Sequence, residues 1–414
     1  MSRVASAVSQ HNGLNALMRR QQELDRTQAR LVSGKRIERP SDDPAGAARA
    51  ERALADQTRS EGLLRTLSAS RNAMSVTESA VGDAVDLVQD AREAIVGAGN
   101  GILNTADRSL LVDRLQQIRG QLLSVANTED GLGQHVFGGQ GSDRLPFVDT
   151  GAAVQYQGAS GEAAGSLSED LPLAVDGQAL WLQARSGNGV FETSRQVAST
   201  STAWISAGSV SDPSALTLAD GQRYEISFTS ASRYSVSLVA SDGSRTPFPD
   251  AANSDHDHVS GAPIARLPGM QVAISGTAVA GDKFTVAPSR PSLSVFEALD
   301  RVIEGLGPST NAAQDPNAGD RAQAIQHGLR DLDQVLGHLQ VARSHAGETL
   351  NRLDGLDQRT QDRVLSDKVI RSEAEDLDMA EGISDFTTQQ TAYQAALQSY
   401  SMVRKLSLFD YISN

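Results

Sequence analysis

Cysteine is absent from the chain, and aromatic residues are scarce. Without cysteine there can be no disulfide framework, thiolate metal site or cysteine nucleophile. Aromatic residues make up 4% of the sequence, and none precedes Phe137. Because large rings bury the most area per side chain, the first third of the chain has little material for a globular core. We expect that part to be built from Leu, Ala and Val at helical intervals.

Excess positive charge and long apolar runs are also lacking. The formal net charge of −14 argues against nucleic acid or an anionic membrane as a partner. No run of 18 apolar residues occurs, so no membrane-spanning helix is predicted. The opening MSRVASAVSQHNGLNALMRR has no continuous apolar segment of the kind that a secretory signal peptide contains. We expect a protein of this type to leave the cell, if it does so, by another route.

Proline is missing from most of the sequence. Two of the thirteen prolines are Pro40 and Pro44, and the others lie between Pro146 and Pro316. Since proline costs about 3 kcal/mol inside a helix, long helices are predicted wherever it is absent. The predicted segments are a terminal helix at 1–33, a helical rod at 34–136, a β-rich domain at 137–292, a helical rod at 293–369 and a terminal helix at 370–414.

The two terminal segments carry apolar residues three and four positions apart, which is typical of coiled-coil seams. These seams are thin and are interrupted by glutamine, as at Gln21 and Gln28. A lone helix of this kind is marginal in water. We predict that the terminal helices pack antiparallel on each other, or on their copies in adjacent subunits, and fold on assembly. The predicted contact residues are Leu14, Leu17, Leu24, Leu31, Ile383, Phe386, Tyr393, Leu397 and Tyr400.

The middle of the sequence alternates apolar and polar residues between two Asp-Gly pairs, which predicts two strands of a hairpin. The alternating residues are Tyr224, Ile226 and Phe228, then Tyr234, Val236 and Leu238. Further strand-like runs are VQYQG, QVAISG and DKFTVAP, and GGQGSD at 138–143 is interpreted as a linker. The predicted fold is mainly α with an inserted β domain: a long antiparallel helical rod or coiled coil built from both chain ends, plus a small β-rich middle domain.

No catalytic, cofactor-binding or metal-binding residues are predicted, and an enzyme is not expected. The run SDHDHV at 254–259 could offer two Asp and two His to a metal, and in a strand His256 and His258 would point to the same side. Its Ser-, Asp- and Asn-rich surroundings favour a solvated loop instead. A metal-binding domain carried on a coiled-coil scaffold stays open as an alternative.

The stretch SGKRIERPSDDPAGAA at 33–48 predicts a sharp break between two helices. Gly34 suits a left-handed C-cap with Lys35 and Arg36 at the negative helix end. Asp43 suits an N-cap, with Asp42 adding negative charge and Pro44 at the first helical position. An ordinary helix–loop–helix turn would explain this chemistry equally well. The other interpretation is an elbow that contacts a neighbouring subunit through Arg36, Pro40, Asp42, Asp43 and Pro44.

Both chain ends resemble the flagellin superfamily. Residues 31–50, LVSGKRIERPSDDPAGAARA, are similar to its N-terminal signature, and residues 372–412, SEAEDLDMAEGISDFTTQQTAYQAALQSYSMVRKLSLFDYI, to its C-terminal helix. Two features resemble the hook–filament junction proteins of this superfamily more than the flagellins. They are the ending LSLFDYI and the run GDKFTVAPSRPSLSVFEALDRVIEGL at 281–306. The run HVFGGQGSDRLPF at 135–147 is similar to the exit of that family's chain from the helical rod into the β domain.

The resemblance implies a structural protein without cofactors that forms a ring between the hook and the filament of the bacterial flagellum. Its implied partners are further copies of itself, an adjacent hook-associated protein, flagellin and an export chaperone bound near the C-terminus. The implied route is type III export of the unfolded chain to the outside of the cell. The alternative within the superfamily is flagellin, the filament subunit.

Overall fold

The computed structural model of the chain describes residues 2–99, 104–141, 143–165, 169, 171–250, 252, 254–264, 267–307 and 317–412. For residues 2–10 and 403–412 it describes the helical backbone only. The helices of these ranges are α1 (Ser2–Ser33), α2 (Pro44–Ala98), α3 (Thr105–Ala126), α4 (Gly177–Leu182), α5 (Val295–Leu306), α6 (Ala318–Glu375) and α7 (Met379–Ile412), with a short 3₁₀ helix at Pro213–Ala215. None of these helices is long and apolar enough to cross a membrane.

The strands lie between α3 and α5. They are β1 (Phe147–Asp149), β2 (Val154–Tyr156), β3 (Ala163–Ala164), β4 (Pro172–Ala174), β5 (Ala184–Arg185), β6 (Phe191–Gln196), β7 (Trp204–Ile205), β8 (Ser209–Val210), β9 (Arg223–Ser230), β10 (Arg233–Val239), β11 (Arg245–Pro247), β12 (Asp255–Asp257), β13 (Met270–Gln271), β14 (Ile274–Ser275), β15 (Lys283–Pro288) and β16 (Pro291–Leu293). This arrangement confirms the predicted fold class, with long helices at both ends and a β-rich middle.

The chain divides into two units by its internal contacts. The terminal unit comprises Met1–Arg65 and Gly355–Asn414, and the central unit comprises Thr66–Asp354. Helices α2 and α6 each contribute residues to both units. Helix α6 continues to Glu375, past the boundary predicted between residues 369 and 370, and the break before α7 covers residues 376–378.

The helical core of the central unit is built on α2, α3, α5 and α6. Trp181 of α4 is 1% exposed and stacks on Phe296 of α5, with ring centroids 6.3 Å apart. Phe137 meets the edge of the same indole at 5.4 Å. The large apolar residues that this part of α2 places in the core are Leu67, Met74, Val81, Val85, Val88 and Ile95.

The second core of the central unit lies on an antiparallel sheet in the order β11-β10-β9-β15-β6, with β12 also paired to β10. The predicted hairpin is confirmed as β9 and β10, and its register pairs Ile226 with Val236 and Phe228 with Tyr234. Alternate residues face the core, so these side chains are buried together. The run DKFTVAP forms β15 between β9 and β6.

Two local predictions for the middle segment are wrong. GGQGSD is not a linker, because Gly138 and Gly139 are buried and bridge to Asp176 and Ala159 respectively. Gly139 has φ +64°, and a Cβ there would overlap the carbonyl oxygen of Ala159. The glycines therefore allow a close backbone approach, which composition alone does not distinguish from flexibility.

The histidine run does not form a solvated loop. His256 lies in β12 opposite Tyr234, and the ring of His258 meets the edge of Phe228 at 4.9 Å. The two imidazoles pack against aromatic rings of one sheet, on the same side as a strand predicts. Within the described ranges, no group of three or more His, Cys, Asp and Glu side chains is placed to hold a metal ion.

Candidate assembly surface in the terminal unit

Helices α1 and α7 pack antiparallel within the terminal unit. At one end, a Cβ added to Gly13 would lie 3.3 Å from the ring of Tyr400. At the other end, a Cβ added to Gly382 would lie 3.1 Å from Leu31. Between these ends the Thr27 hydroxyl donates a hydrogen bond of 2.8 Å to the side-chain oxygen of Gln389. The pairing predicted from the two thin seams therefore occurs within one chain.

The seam between α1 and α7 buries little apolar surface. Leu17, at 9% exposed, is the one buried member of the predicted contact set. The others that face the seam are half-buried, namely Leu24, Leu31, Phe386, Tyr393 and Tyr400. Glycine, threonine and glutamine fill the positions between them. Such a seam provides less stabilisation than a continuous row of leucines would, because hydrophobic stabilisation scales with buried apolar area.

Three of the predicted contact residues lie outside this seam. Leu14, Ile383 and Leu397 are 38%, 53% and 43% exposed. Residues 386, 393 and 400 share one face of α7, whereas residue 383 lies about 60° around the helix from residue 386. The predicted contact set therefore combined residues of two neighbouring helix faces, only one of which packs in the seam. We call the exposed apolar face the flanking stripe, and its members are Leu14, Met18 and Val32 of α1 and Met379, Ile383 and Leu397 of α7.

The predicted caps at the break between α1 and α2 are confirmed. Gly34 has φ +70°, and its N–H donates to the carbonyl of Arg30 at 2.8 Å. The Asp43 carboxylate accepts a 2.9 Å hydrogen bond from the Gly46 N–H, and Pro44 is the first residue of α2. This hydrogen bond, with a further contribution from Arg36, lowers the pKa of Asp43.

Asp42 has a role in the turn that the sequence did not predict. Its carboxylate accepts from the backbone N–H groups of Glu38 at 3.3 Å and Arg39 at 3.1 Å. It therefore closes the turn that contains Pro40, two residues before α2 begins. Local sequence could not tell which of Asp42 and Asp43 would cap α2 and which would close the turn. Both carboxylates lie within reach of backbone N–H groups that no helix pairs.

The break between α1 and α2 is hydrogen-bonded to the break between α6 and α7. The Arg36 N–H donates to Glu375 at 2.7 Å, and the Leu377 N–H donates to Gly34 at 2.9 Å. We call residues 34–37 and 375–377 the clasp. The Asp378 carboxylate then caps α7 through the N–H of Ala380 at 2.9 Å.

Side chains reinforce the clasp. Lys35 pairs with Glu375 at 3.2 Å. The Arg36 guanidinium pairs with Asp43 at 3.3 Å and donates to the carbonyl of Ala374 at 2.7 Å. Two of the five predicted elbow residues, Arg36 and Asp43, thus contact each other inside one chain. The clasp could not be predicted from local sequence patterns because its two segments are more than 300 residues apart in the chain.

The segments of α2 and α6 in the terminal unit also meet through small and polar residues. Gln57 donates to Glu61 at 2.7 Å and accepts from Arg371 at 3.2 Å. Buried positions nearby are Ala50, Ala53 and Ser60 of α2, and Thr360, Val364 and Ala374 of α6. The whole terminal unit therefore has closely packed but weakly apolar interfaces.

Comparison with known proteins supports the resemblance at both chain ends. Residues 4–142 match the bacterial flagellin N-terminal helical region. Flagellar hook-associated protein 3 of Escherichia coli is 25% identical over 383 residues, which cover 92% of this chain and 90% of that protein. The protein of the same name from Salmonella typhimurium is 25% identical over 409 residues, 98% of each chain.

A solved structure agrees with these relatives. The flagellar junction protein from Legionella pneumophila matches with a TM-score of 0.61 at 25% identity, covering 73% of this chain and 98% of that one. Residues 4–142 therefore resemble the N-terminal helical region of the bacterial flagellins, and nearly the whole chain is similar to flagellar hook-associated protein 3 of two organisms.

Proposed function

We propose that this chain is a structural subunit of the bacterial flagellum and forms the junction between hook and filament. Full-length similarity to flagellar hook-associated protein 3 from two organisms supports this role, as does the likeness to a solved flagellar junction protein. The relatives are structural flagellar proteins, and we propose that this chain likewise has no enzymatic activity.

The flanking stripe is the observation in the molecule that carries the proposal. It places six large apolar side chains on the outside of two helices whose own seam is thin. Full burial of such a side chain contributes about 1.5–3 kcal/mol. Neighbouring subunits would supply that burial, so the terminal helices would become stable on assembly. Helices of 32 and 34 residues span about 50 Å, long enough to contact more than one neighbour.

The proposed partners follow from this role. They are further copies of the chain in a ring, the adjacent hook-associated protein, and flagellin. An export chaperone that binds near the C-terminus is part of the same proposal. The seam on α7, with its half-buried Phe386, Tyr393 and Tyr400, offers a chaperone an apolar face before α1 covers it.

The elbow forms the second part of the proposed contact surface. Pro40 and Asp42 are exposed. We propose that this turn meets a neighbouring subunit, while Arg36, Asp43 and Pro44 fix its position. Replacing Pro40 and Pro44 together with alanine should impair filament attachment and leave export of the chain intact. Normal motility of that double variant would contradict the elbow's role without affecting the junction assignment.

Deletion of the gene tests the function directly. A junction protein is expected to leave hooks in place while unattached flagellin accumulates in the culture medium. Electron microscopy of the cells and analysis of the medium would measure both. Filament loss without flagellin in the medium would indicate instead that the chain is the filament subunit.

A matched pair of substitutions on α7 tests the flanking stripe. Ile383→Glu puts a charge on the stripe, whereas Thr388→Glu puts one on an exposed position about 140° around the same helix. Ile383→Glu should be exported normally but should fail to restore filaments in the deletion strain, and Thr388→Glu should restore them. Equal swimming by both variants would remove the stripe from the assembly surface.

A further inference from the structure

Two asparagine–glycine pairs lie in contrasting surroundings. Asn12–Gly13 is part of α1 in the terminal unit, and Asn188–Gly189 is part of the turn before β6 in the central unit. The sequence has a third pair at 100–101, outside the described residues. An asparagine followed by glycine is especially prone to deamidation, because glycine has no Cβ to keep its backbone nitrogen away from the asparagine side chain.

Deamidation of Asn12 would need water as its only co-reactant. The Gly13 nitrogen attacks Cγ of Asn12, a new N–C bond forms, and the side-chain nitrogen leaves as ammonia with the proton from the Gly13 N–H. Water then opens the resulting succinimide ring at either carbonyl. The products are aspartate and isoaspartate, and in isoaspartate the main chain passes through the former side-chain methylene.

A folded α1 prevents this attack. Within the helix the Gly13 N–H donates to the carbonyl of Ser9, and the helical backbone holds the nitrogen out of reach of Cγ of Asn12. The Asn12 side chain is exposed, so access of water does not limit the reaction. Opening of the helix is therefore the limiting step. We expect α1 to open often in the free chain, because its seam with α7 buries little apolar surface.

The close packing of α1 on α7 explains why a glycine follows Asn12. A Cβ at position 13 would lie 3.3 Å from the ring of Tyr400, so a larger residue would crowd the seam. Glycine is also among the poorest helix formers, which favours opening at this point. The residue that allows the two helices to approach thus also creates a reactive pair.

Asn188–Gly189 has the same sequence, but hydrogen bonds fix its side chain. The Asn188 Oδ1 accepts from the N–H groups of Val190 at 3.0 Å and Phe191 at 2.9 Å. Its Nδ2 donates to the carbonyl of Gly208 at 3.3 Å. Cγ of Asn188 cannot turn towards the Gly189 nitrogen without breaking these bonds. The two pairs are therefore expected to react at different rates.

We propose that Asn12–Gly13 is a deamidation site that is open in the free chain and closed once α1 is packed in the junction. The closed state rests on the proposed function, because neighbouring subunits stabilise α1 there. Isoaspartate at position 12 lengthens the main chain and interrupts the helical hydrogen bonds beside the contact of Gly13 with Tyr400. Chains that stay unassembled therefore lose the seam and can no longer join the junction.

Peptide mass spectrometry of the full-length monomer, held for days in a warm, mildly alkaline buffer, tests the site. Asn12 should convert at least roughly tenfold faster than Asn188. It should exceed by a similar factor the rate of Asn15, which is exposed in the same helix but precedes Ala16. Equal rates at Asn12 and Asn188 would overturn the opening of α1 as the cause. Equal rates at Asn12 and Asn15 would overturn the role of glycine.

Purified hook–filament junctions, held in the same buffer, provide the assembled state. Asn12 should convert there at least roughly tenfold more slowly than in the monomer. Equal rates in the two states would overturn the closing of the site on assembly. Absence of the chain from purified junctions would overturn the proposed function itself, and the monomer rates would still decide whether the site reacts.

Asn12→Gln provides the matched variant for the loss of assembly, because glutamine forms the corresponding larger ring far more slowly. Freshly purified native chain and variant should attach equally to hooks from the deletion strain. After the same holding period the native chain should attach at least several-fold less, and the variant should be unchanged. Equal losses in both would show that deamidation of Asn12 is not the cause, which would overturn this part of the proposal.

Discussion

Helices α2 and α6 show the difference between the two units within a single pair of helices. In the central unit α2 contributes large side chains such as Leu67, Met74 and Val81 to the core, whereas in the terminal unit it contributes Ala53 and Gln57. Most of the large apolar side chains that the described residues expose belong to the terminal unit, although it is the smaller of the two.

This difference teaches that helix formation and core formation are separate properties of the sequence. Helix propensity extends through both units, but most helical stability in proteins comes from packing of an apolar face. The central unit can provide that packing alone through its two cores. We expect the terminal unit to reach full stability only with neighbouring subunits.

The largest expected contrast is in amide hydrogen exchange of the monomer. Opening free energies range from near zero at frayed ends to the global value of 5–15 kcal/mol in cores. We expect α1 and α7 to exchange at least roughly 10⁴-fold faster than α3, β9 and β15, a difference of about 5 kcal/mol. Mass spectrometry of peptides from both units measures this ratio. Comparable protection in both units would refute folding on assembly.

Truncating one aromatic residue in each unit should have unequal effects. Trp181→Ala removes a fully buried ring from the central unit and should cost about 3–5 kcal/mol of unfolding free energy. Tyr393→Ala removes a half-buried ring from the terminal unit and should cost about 1 kcal/mol or less. Urea unfolding followed by circular dichroism measures both. Similar midpoint shifts would show that the terminal seam is stronger than its burial suggests.

Two buried groups of the central unit should respond to acid in opposite directions. Burial lowers the pKa of His327 to about 4, so its contribution to stability is complete above pH 6.5 and is lost as the pH falls towards 4. Burial raises the pKa of Asp331 to about 6 although Arg301 lies 2.8 Å away. The folded state therefore gains stability as the pH falls from about 6 to 3.8. Each effect amounts to about 3 kcal/mol at most, so the two nearly cancel in the native chain.

Single substitutions separate these two effects. Relative to the native chain, His327→Gln should become more stable as the pH falls from 6.5 to 4, and Asp331→Asn should become less stable over the same interval. The exposed His11 of the terminal unit provides the control, and His11→Gln should show neither trend. Melting temperatures across this pH range measure the differences. Parallel curves for all four proteins would contradict the assignment.

The smallest expected effect comes from a substitution that makes the terminal unit more apolar and so more like the central unit. Gln57→Leu replaces a buried polar seam residue of α2 with an apolar one, and a polar residue at a seam position costs stability. Arg371 keeps its other partner, Glu375 at 3.2 Å. We expect a gain of about 1 kcal/mol in the monomer, seen as slower amide exchange in residues 46–60. Faster exchange would mean that the hydrogen bond to Arg371 outweighs the apolar gain.

Local patterns predicted the parts of the fold that depend on nearby residues. Gly34, Asp43 and Pro44 indicated the helix ends because capping is decided within four residues. The alternation of Tyr224, Ile226 and Phe228 predicted a strand of the hairpin, which the structure confirms as β9.

Features that depend on distant contacts could not be predicted in this way. The burial of Gly139 depends on Ala159, and the clasp depends on Glu375. The candidate surface was predicted in part, because heptad spacing identifies a seam but not which neighbouring face a single partner leaves uncovered. Ile383 and Leu397 show that ambiguity.

The clasp also has a mechanical consequence. Residues 34–37 and 375–377 are hydrogen-bonded to each other, so the break between α1 and α2 and the break between α6 and α7 cannot bend independently. A torque on α1 is transmitted to the start of α7. Neither helix can rotate alone without breaking the hydrogen bonds that the Arg36 and Leu377 N–H groups donate. A substitution that weakens the hydrogen bonds of residues 34–37 would therefore make both breaks more flexible. A second substitution in residues 375–377 is expected to be able to compensate for it.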